Sequence, residues 1–351
     1  MKESFGVLPN GNHAFLYTIS CGSLTASVTD YGAALVRLMV PDRCGKPADV
    51  VLGFDCAEDY LTQDGCLGAT VGRSANRLKE ASFCLAGETF HLTKNEGNNN
   101  LHSGPDAWYH RLWTLEEETD NSLTFLLKSP HLDQGYPGNA EIRVTYRLDL
   151  QDGLHIIYDG ISDRDTVFNL TNHSYFNLAG HENTDRAMDQ LLTMPARWFH
   201  PADAENIPTG EKRSVEGTPM DFRNPKVLRR DMEIPYEPLV LQGGYDHNFE
   251  AAQNPCAVLT DPQSGRTLSV FTDCPGIQVY TGNYLNAPGK GGIFYGKRSG
   301  VALETQFAPD SLHHPDWPQP VTKAGMPYHV FSRISHNKLS IINTKYYTSA
   351  K

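Results

Sequence analysis

Apolar and polar residues alternate with a period of two in one short stretch after another. The runs "LTASVTDYGAALVRLMV" (24–40), "SLTFLLKS" (122–129), "EIRVTYRLDL" (141–150), "LHIIYDGIS" (154–162) and "TLSVFT" (267–272) carry this pattern. Successive side chains of an extended chain point to opposite faces, so each run predicts a strand with one face toward a core. Residues that accept positive φ at low cost sit between such runs at Pro9-Asn10-Gly11, Ala86-Gly87, Gln151-Asp152-Gly153 and Ser264-Gly265, and predict hairpin connections. No stretch sustains the i, i+3, i+4, i+7 period of an amphipathic helix, and 30 glycines with 22 prolines would interrupt long ones. The expected fold class is all-β: a large antiparallel β-sandwich with few short helices.

The stretch "VFNLTNHSYFNLAG" (167–180) strains that scheme. Its Val, Phe, Leu, Thr and Tyr content reads as a strand, yet Asn169, Asn172, His173 and Asn177 are interleaved among the apolar side chains. Burying such a group without a partner costs roughly 1–3 kcal/mol, so these side chains need something to touch. Two further stretches, "EIPYEPLVLQGG" (233–244) and "NAPGKGGIFYGKRSG" (286–300), read as long surface loops beside polar segments. With no linker, repeat or low-complexity tract, residues 1–351 are expected to form one domain.

Charge narrows the possible partners. The formal net charge of −11 disfavours nucleic acid and anionic membrane surfaces, and no run approaches the ~20 apolar residues of a membrane span. The N-terminal stretch lacks an apolar run of signal-peptide length, so the expectation is a soluble, cytoplasmic protein. Seven cysteines, Cys21, Cys44, Cys56, Cys66, Cys84, Cys256 and Cys274, show no C-x-x-C spacing and read as reduced structural thiols rather than disulfides or zinc ligands. The sequons at Asn169 and Asn172 are discounted on the same cytoplasmic reading.

Six segments mix ionisable, amide and glycine residues beyond what packing needs: 68–78, 98–113, 169–178, 243–250, 276–285 and 300–320. In the last, Glu304 follows Val301-Ala302-Leu303, where a half-buried carboxyl would be raised in pKa unless paired. Within these segments "GRSANR", "LHSG", "TNHSYFNL", "GYDHNF", "QVYTGN" and "LETQFAPDS" resemble, in order, the motifs of the aldose 1-epimerases, or galactose mutarotases. The likeness runs from "DYGAALVRLMVPD" (30–42) to "HHPDWPQP" (313–320). It implies a β-sandwich of the mutarotase type, a free hexose such as galactose or glucose as substrate, a place in hexose metabolism, and neither cofactor nor metal. It also implies that Glu304 and His173 are catalytic, and that Asn76, Arg77, His102, Tyr175, Asp246 and Gln278 bind the sugar, with Arg73 structural. Whether the protein is a monomer or a homodimer stays open.

The chemistry implied is simple. Interconverting anomers requires a base to take the C1 hydroxyl proton while an acid protonates the ring oxygen O5. Glu304, with an ordinary pKa near ~4.3, suits the base; His173, near ~6.5, suits the acid if Asp246 or Glu304 raises its pKa. The Asp246/Glu304 pair also admits a glycosidase, and the same fold could serve as a non-catalytic sugar-binding module or a sugar-phosphate 1-epimerase, the last needing a second cation near Arg77. His313 and His314 are not a metal pair; Trp108, Trp113 and Trp317 pack; His247 points away from Asp246; and Ser74 and Ser103 depart from the family's usual pattern, bearing on selection between epimers at C4 or C6.

Overall fold

The structure is a computed structural model and describes residues 1–335 apart from 63, 64 and 152. Three antiparallel sheets dominate. The first runs in chain order through Lys2–Val7, His13–Cys21, Leu24–Thr29, Ala34–Pro41 and Pro47–Asp49. The second has nine strands, beginning with Thr114–Glu118, Ser122–Ser129, Ala140–Asp149 and Gly153–Ser162, then crossing to Tyr328–Ser335 and Thr267–Thr272. The third, of six strands, orders Tyr175–Phe176, Val301–Gln306, Gly276–Tyr280, Asp246–Glu250, Trp198–His200 and Arg213–Ser214.

Alternation decides how these sheets pack. Val144, Ile156, Val270 and Val330 of the nine-stranded sheet share one apolar cluster with Phe249, Ile277, Val279, Val301 and Leu303 of the six-stranded sheet and with Ile19, Val28 and Leu38 of the first. Burying each such side chain favours the fold by about 1.5–3 kcal/mol. Because the inward residues of the six-stranded sheet are odd-numbered along 277–279 and 301–303, Gln278 and Glu304 face the other way. The core thus fixes which side chains can line a site.

The runs 122–129, 141–150, 154–162 and 267–272 match strands within a residue at each end. The run 24–40 is two strands, Leu24–Thr29 and Ala34–Pro41, because Gly32 and Ala33 at φ 69° and 43° turn the chain. Three anticipated hairpin turns are present at Asn10-Gly11, Ala86-Gly87 and Ser264-Gly265. The fourth joins Ala140–Asp149 to Gly153–Ser162, with Asp152 outside the described residues.

Three expectations need correction. The 233–244 stretch contains the helix Glu237–Gln242, which carries Pro238 in its first turn and closes on Gly243 in the left-handed region. Within 286–300, Ala287–Pro288 pairs with Phe294–Tyr295, and the buried Lys290 ammonium between them donates to the carbonyls of Val36 and Val51 and to Asp49. The 167–180 stretch is not one strand but three two-residue pieces, Thr166–Val167, Thr171–Asn172 and Tyr175–Phe176.

The asparagines explain that break, because each substitutes side-chain bonds for ladder bonds. Asn169 accepts the Phe307 N–H at 2.8 Å; Asn172 donates to the Gly68 carbonyl at 2.8 Å and accepts from Ser174 Oγ at 2.6 Å; Asn177 donates to the Asn183 carbonyl at 2.9 Å. Three of the four interleaved polar residues are therefore structural. His173 alone keeps a ring nitrogen, Nδ1, that is buried with no hydrogen-bond partner among the described residues.

Candidate active site

A row of polar side chains crosses the outer face of the six-stranded sheet. His200 lies opposite Asn248, Asn248 opposite Gln278, and Gln278 opposite Glu304, so the register of four strands sets their spacing. Asp246 belongs to the neighbouring row, opposite Tyr280. Its Oδ1 accepts from Gln278 Nε2 at 2.7 Å and its Oδ2 from Asn206 Nδ2 at 2.6 Å. Glu304 is 2% exposed, and its Oε2 has no hydrogen-bond partner among the described residues. His247, on the other side of its strand, packs against Phe199 in the core.

Facing this row is an irregular wall. His173 enters between the pairings of Thr171–Asn172 and Tyr175–Phe176, its N–H bonded to the Ala69 carbonyl and its carbonyl accepting from Gly68. Its Nε2 stands 3.6 Å from Glu304 Oε1, beyond hydrogen-bonding length, so the two groups face each other across a gap. The ring of His102 meets that of His173 edge-on at 5.5 Å, and Tyr175 lies 5.0 Å away between His173 and Tyr280. The Asn76 N–H donates to His102 Nδ1 at 3.1 Å, which leaves the proton of the neutral ring on Nε2. Arg77 lays its fork on Glu96, at 2.6 and 2.8 Å.

Burial governs the protonation of this cluster. It pushes the Glu304 carboxyl well above the ordinary carboxylate range, the Asp246 charge adds to the rise, and Arg77 opposes it. Burial also raises Asp246, against Arg77 and the amides of Gln278 and Asn206. His102 falls well below the ordinary imidazole value through burial and through His173 and Arg77. His173 is pushed down to about 4 by burial, contrary to the rise expected from a neighbouring anion. The reason is mutual: a carboxyl that itself resists ionisation offers little negative charge to hold an imidazolium.

The family model described as aldose 1-epimerase matches residues 16–335. The chain belongs to the aldose 1-epimerase family. It is 39% identical to the galactose mutarotase of Mus musculus over 334 residues, 93% of this chain and 95% of that one. Over 312 residues it is 39% identical to the aldose 1-epimerase of Haemophilus influenzae, covering 86% and 88% of the two chains. The crystal structure of an aldose epimerase homologue from C. elegans superposes with a TM-score of 0.84 at 29% identity, covering 93% of this chain and all of that one. The activity that goes with membership is interconversion of the α and β anomers of hexoses, and the fold is the mutarotase-type β-sandwich.

Set against that family, the eight residues anticipated from the sequence, Asn76, Arg77, His102, His173, Tyr175, Asp246, Gln278 and Glu304, converge on one cluster. Arg73 lies elsewhere, fully buried and donating to Ser129, Thr166 and the Pro137 and Gly138 carbonyls. Trp108 and Trp113 pack edge-on, Trp317 stacks on His314, and His313 Nδ1 sits 2.6 Å from Asp310. Ser74 and Ser103, the two departures from the family pattern, are buried and bond to each other: the Ser74 N–H donates to Ser103 Oγ at 2.8 Å. Sequence reasoning missed Glu96, Asn206 and the His200–Asn248 end of the row. Counting two residues on from Asp246 along its strand is the signal that could have found Asn248.

Proposed function

We propose that Glu304 and His173 are the proton-transfer pair that opens and recloses a free hexose. One observation carries the reading: two buried ionisable groups face each other at 3.6 Å without bonding to each other. Burial favours the neutral form of both, which biases the free pair toward a single proton held on Glu304. Sugar hydroxyls that donate to the carboxyl favour its anion, and the proton then resides on His173. Glu304 takes the C1 hydroxyl proton as His173 delivers its own to O5; the C1–O5 bond breaks, leaving an open-chain aldehyde and the pair in its resting form. Rotation about C1–C2 and the reverse transfers give the other anomer.

Asn76, Arg77, His102, Tyr175, Asp246 and Gln278 supply the planar and aromatic groups that would hold the hydroxyls and the ring face. Galactose and glucose are the expected substrates; the relatives bear the name galactose mutarotase, and the row of amides and carboxylates suits a neutral polyol. A phosphorylated sugar fits less well, because Arg77 already gives one edge of its guanidinium, Nε and Nη2, to the Glu96 carboxylate. A cytoplasmic, single-domain enzyme of hexose metabolism is the broader reading, in line with seven free cysteines and with the absence, among the described residues, of any helix long and apolar enough to cross a membrane. Polarimetry on freshly dissolved α-galactose, α-glucose and α-glucose 6-phosphate tests it. Accelerated mutarotation of the two free sugars is expected; no acceleration of any would overturn the reading.

A further inference from the structure

We propose that Asn206 is a positioning residue of this site: its side-chain amide holds the Asp246 carboxylate in the orientation in which it receives a hydroxyl of the substrate. The inference rests on the assignment of Asp246 to sugar binding.

Asn206 occupies the tip of a tight turn. Asp203 Oδ1 accepts the N–H groups of Glu205 at 2.9 Å and Ile207 at 3.0 Å, the Asn206 N–H donates to the Asp203 carbonyl at 3.0 Å, and Ala202 bridges Pro208. The tip residue has φ 58°, a conformation that asparagine tolerates better than most residues. Glycine would serve the turn equally well, so the turn alone does not call for an amide. Asn206 is 9% exposed as a residue, and its amide reaches out of the turn to Asp246 Oδ2 at 2.6 Å.

The partner arrangement gives that contact a purpose. Gln278 Nε2 binds the other oxygen, Oδ1, at 2.7 Å, so the carboxylate is gripped at both oxygens by groups that can only donate. Each oxygen keeps a second acceptor site, directed by the grip, for a sugar hydroxyl. The turn itself is anchored on two sides: Gln242 Nε2 donates to the Asp203 carbonyl at 2.8 Å, and Asn99 Nδ2 donates to Glu205 Oε2 at 2.9 Å. Asn99 precedes His102 by three residues, so one loop braces both the Asp246 side and the His102 side of the pocket. The other charged and titratable groups that face Asp246 are Arg77 and Glu96 on the wall and Glu304, Tyr280 and Tyr175 around it.

Two variants of the full chain separate positioning from mere turn formation. Asn206→Gly keeps the left-handed tip and deletes the donor; Asn206→Asp keeps the shape and sets a carboxyl against a carboxyl. By polarimetry with galactose, Asn206→Gly should raise KM by about tenfold, the worth of one hydrogen bond to a charged group, with kcat changed less. Asn206→Asp should raise KM further at pH 8, and the excess over Asn206→Gly should shrink toward pH 5, where the two carboxyls share a proton and the donor is restored. A structural role alone would not make the KM difference depend on pH. Wild-type KM in both variants, or an Asn206→Asp effect equal at pH 5 and pH 8, would overturn the proposal. Wild type and Asp246→Asn run alongside: a wild type without mutarotase activity overturns the proposed function and this inference with it. An unchanged KM in Asp246→Asn removes Asp246 from binding and again overturns the inference. Intact controls with unresponsive Asn206 variants sink the inference alone.

Discussion

The two sides of the candidate site are built by opposite means. On the sheet side, Asp246, Gln278 and Glu304 sit on straight strands, and the main-chain ladder sets their spacing. On the other side, Asn76, His102 and His173 sit where the chain has left regular structure, two of them at positive φ, held by side-chain bonds from Asn169, Asn172 and the Ser74/Ser103 pair. Glu304, the proposed base, is thus placed by backbone geometry, and His173, the proposed acid, by a scaffold of individual side chains. Removing a residue that touches no substrate should have different consequences on the two sides: stability on the sheet, geometry and therefore rate on the wall.

The largest effect should come from breaking the pair that spans the walls. Glu304→Gln keeps shape without basicity, and kcat should fall about 10²-fold or more with a modest change in KM; a mutant retaining more than a tenth of wild-type kcat would remove Glu304 from the base role. His173→Asn should lose as much while sugar binding stays detectable by calorimetry. The pH profile of kcat/KM sharpens the assignment. Only the singly protonated pair reacts, so activity should fall on the acid side as His173 takes up a second proton near about 4. On the alkaline side it should fall as Glu304, raised by burial, loses the shared one. An alkaline limb that survives unchanged in residual Glu304→Gln activity would contradict that order.

Smaller effects discriminate between the walls. Arg77→Ala should raise KM about tenfold and lower kcat with the fold intact, since Arg77 is lost from the pocket and Glu96 is left without its partner; unchanged kinetics for both sugars would exclude it from the site. Asn172→Ala, two bonds behind His173, should lower kcat several-fold, on the order of the cost of a small misplacement of the acid. Its sheet-side counterpart, Ile277→Ala, should cost about 2–5 kcal/mol in urea unfolding yet leave kcat of the folded fraction within about twofold. Equal kinetic losses in these last two would erase the distinction.

Legibility followed the same divide. Strands such as 122–129 and 141–150 were readable because alternation is a property of each strand by itself. The candidate site residues were nominated because their motifs resemble a family's in order, not because periodicity points to them, and the structure brings the nominated residues together. What could not be read depended on partners far along the chain: the splitting of 167–180 by Asn169 bonding to Phe307, the depressed rather than raised His173, and the reach of Asn206 to Asp246 across 40 positions. The helix Glu237–Gln242 is a different case, since its first-turn proline and glycine stop were present in the sequence and outweighed by its shortness.

The alternation of Val301–Gln306 carries a consequence for how variants of this enzyme can be screened. Leu303 and Glu304 are adjacent but face opposite layers, so a one-residue slip of that strand against Gly276–Tyr280 would bury the carboxylate in the apolar layer and turn a leucine into the pocket. No misregistered chain can be both packed and active. Polarimetry therefore doubles as a reporter of strand register, more discriminating than circular dichroism, which would record the same β content in either frame.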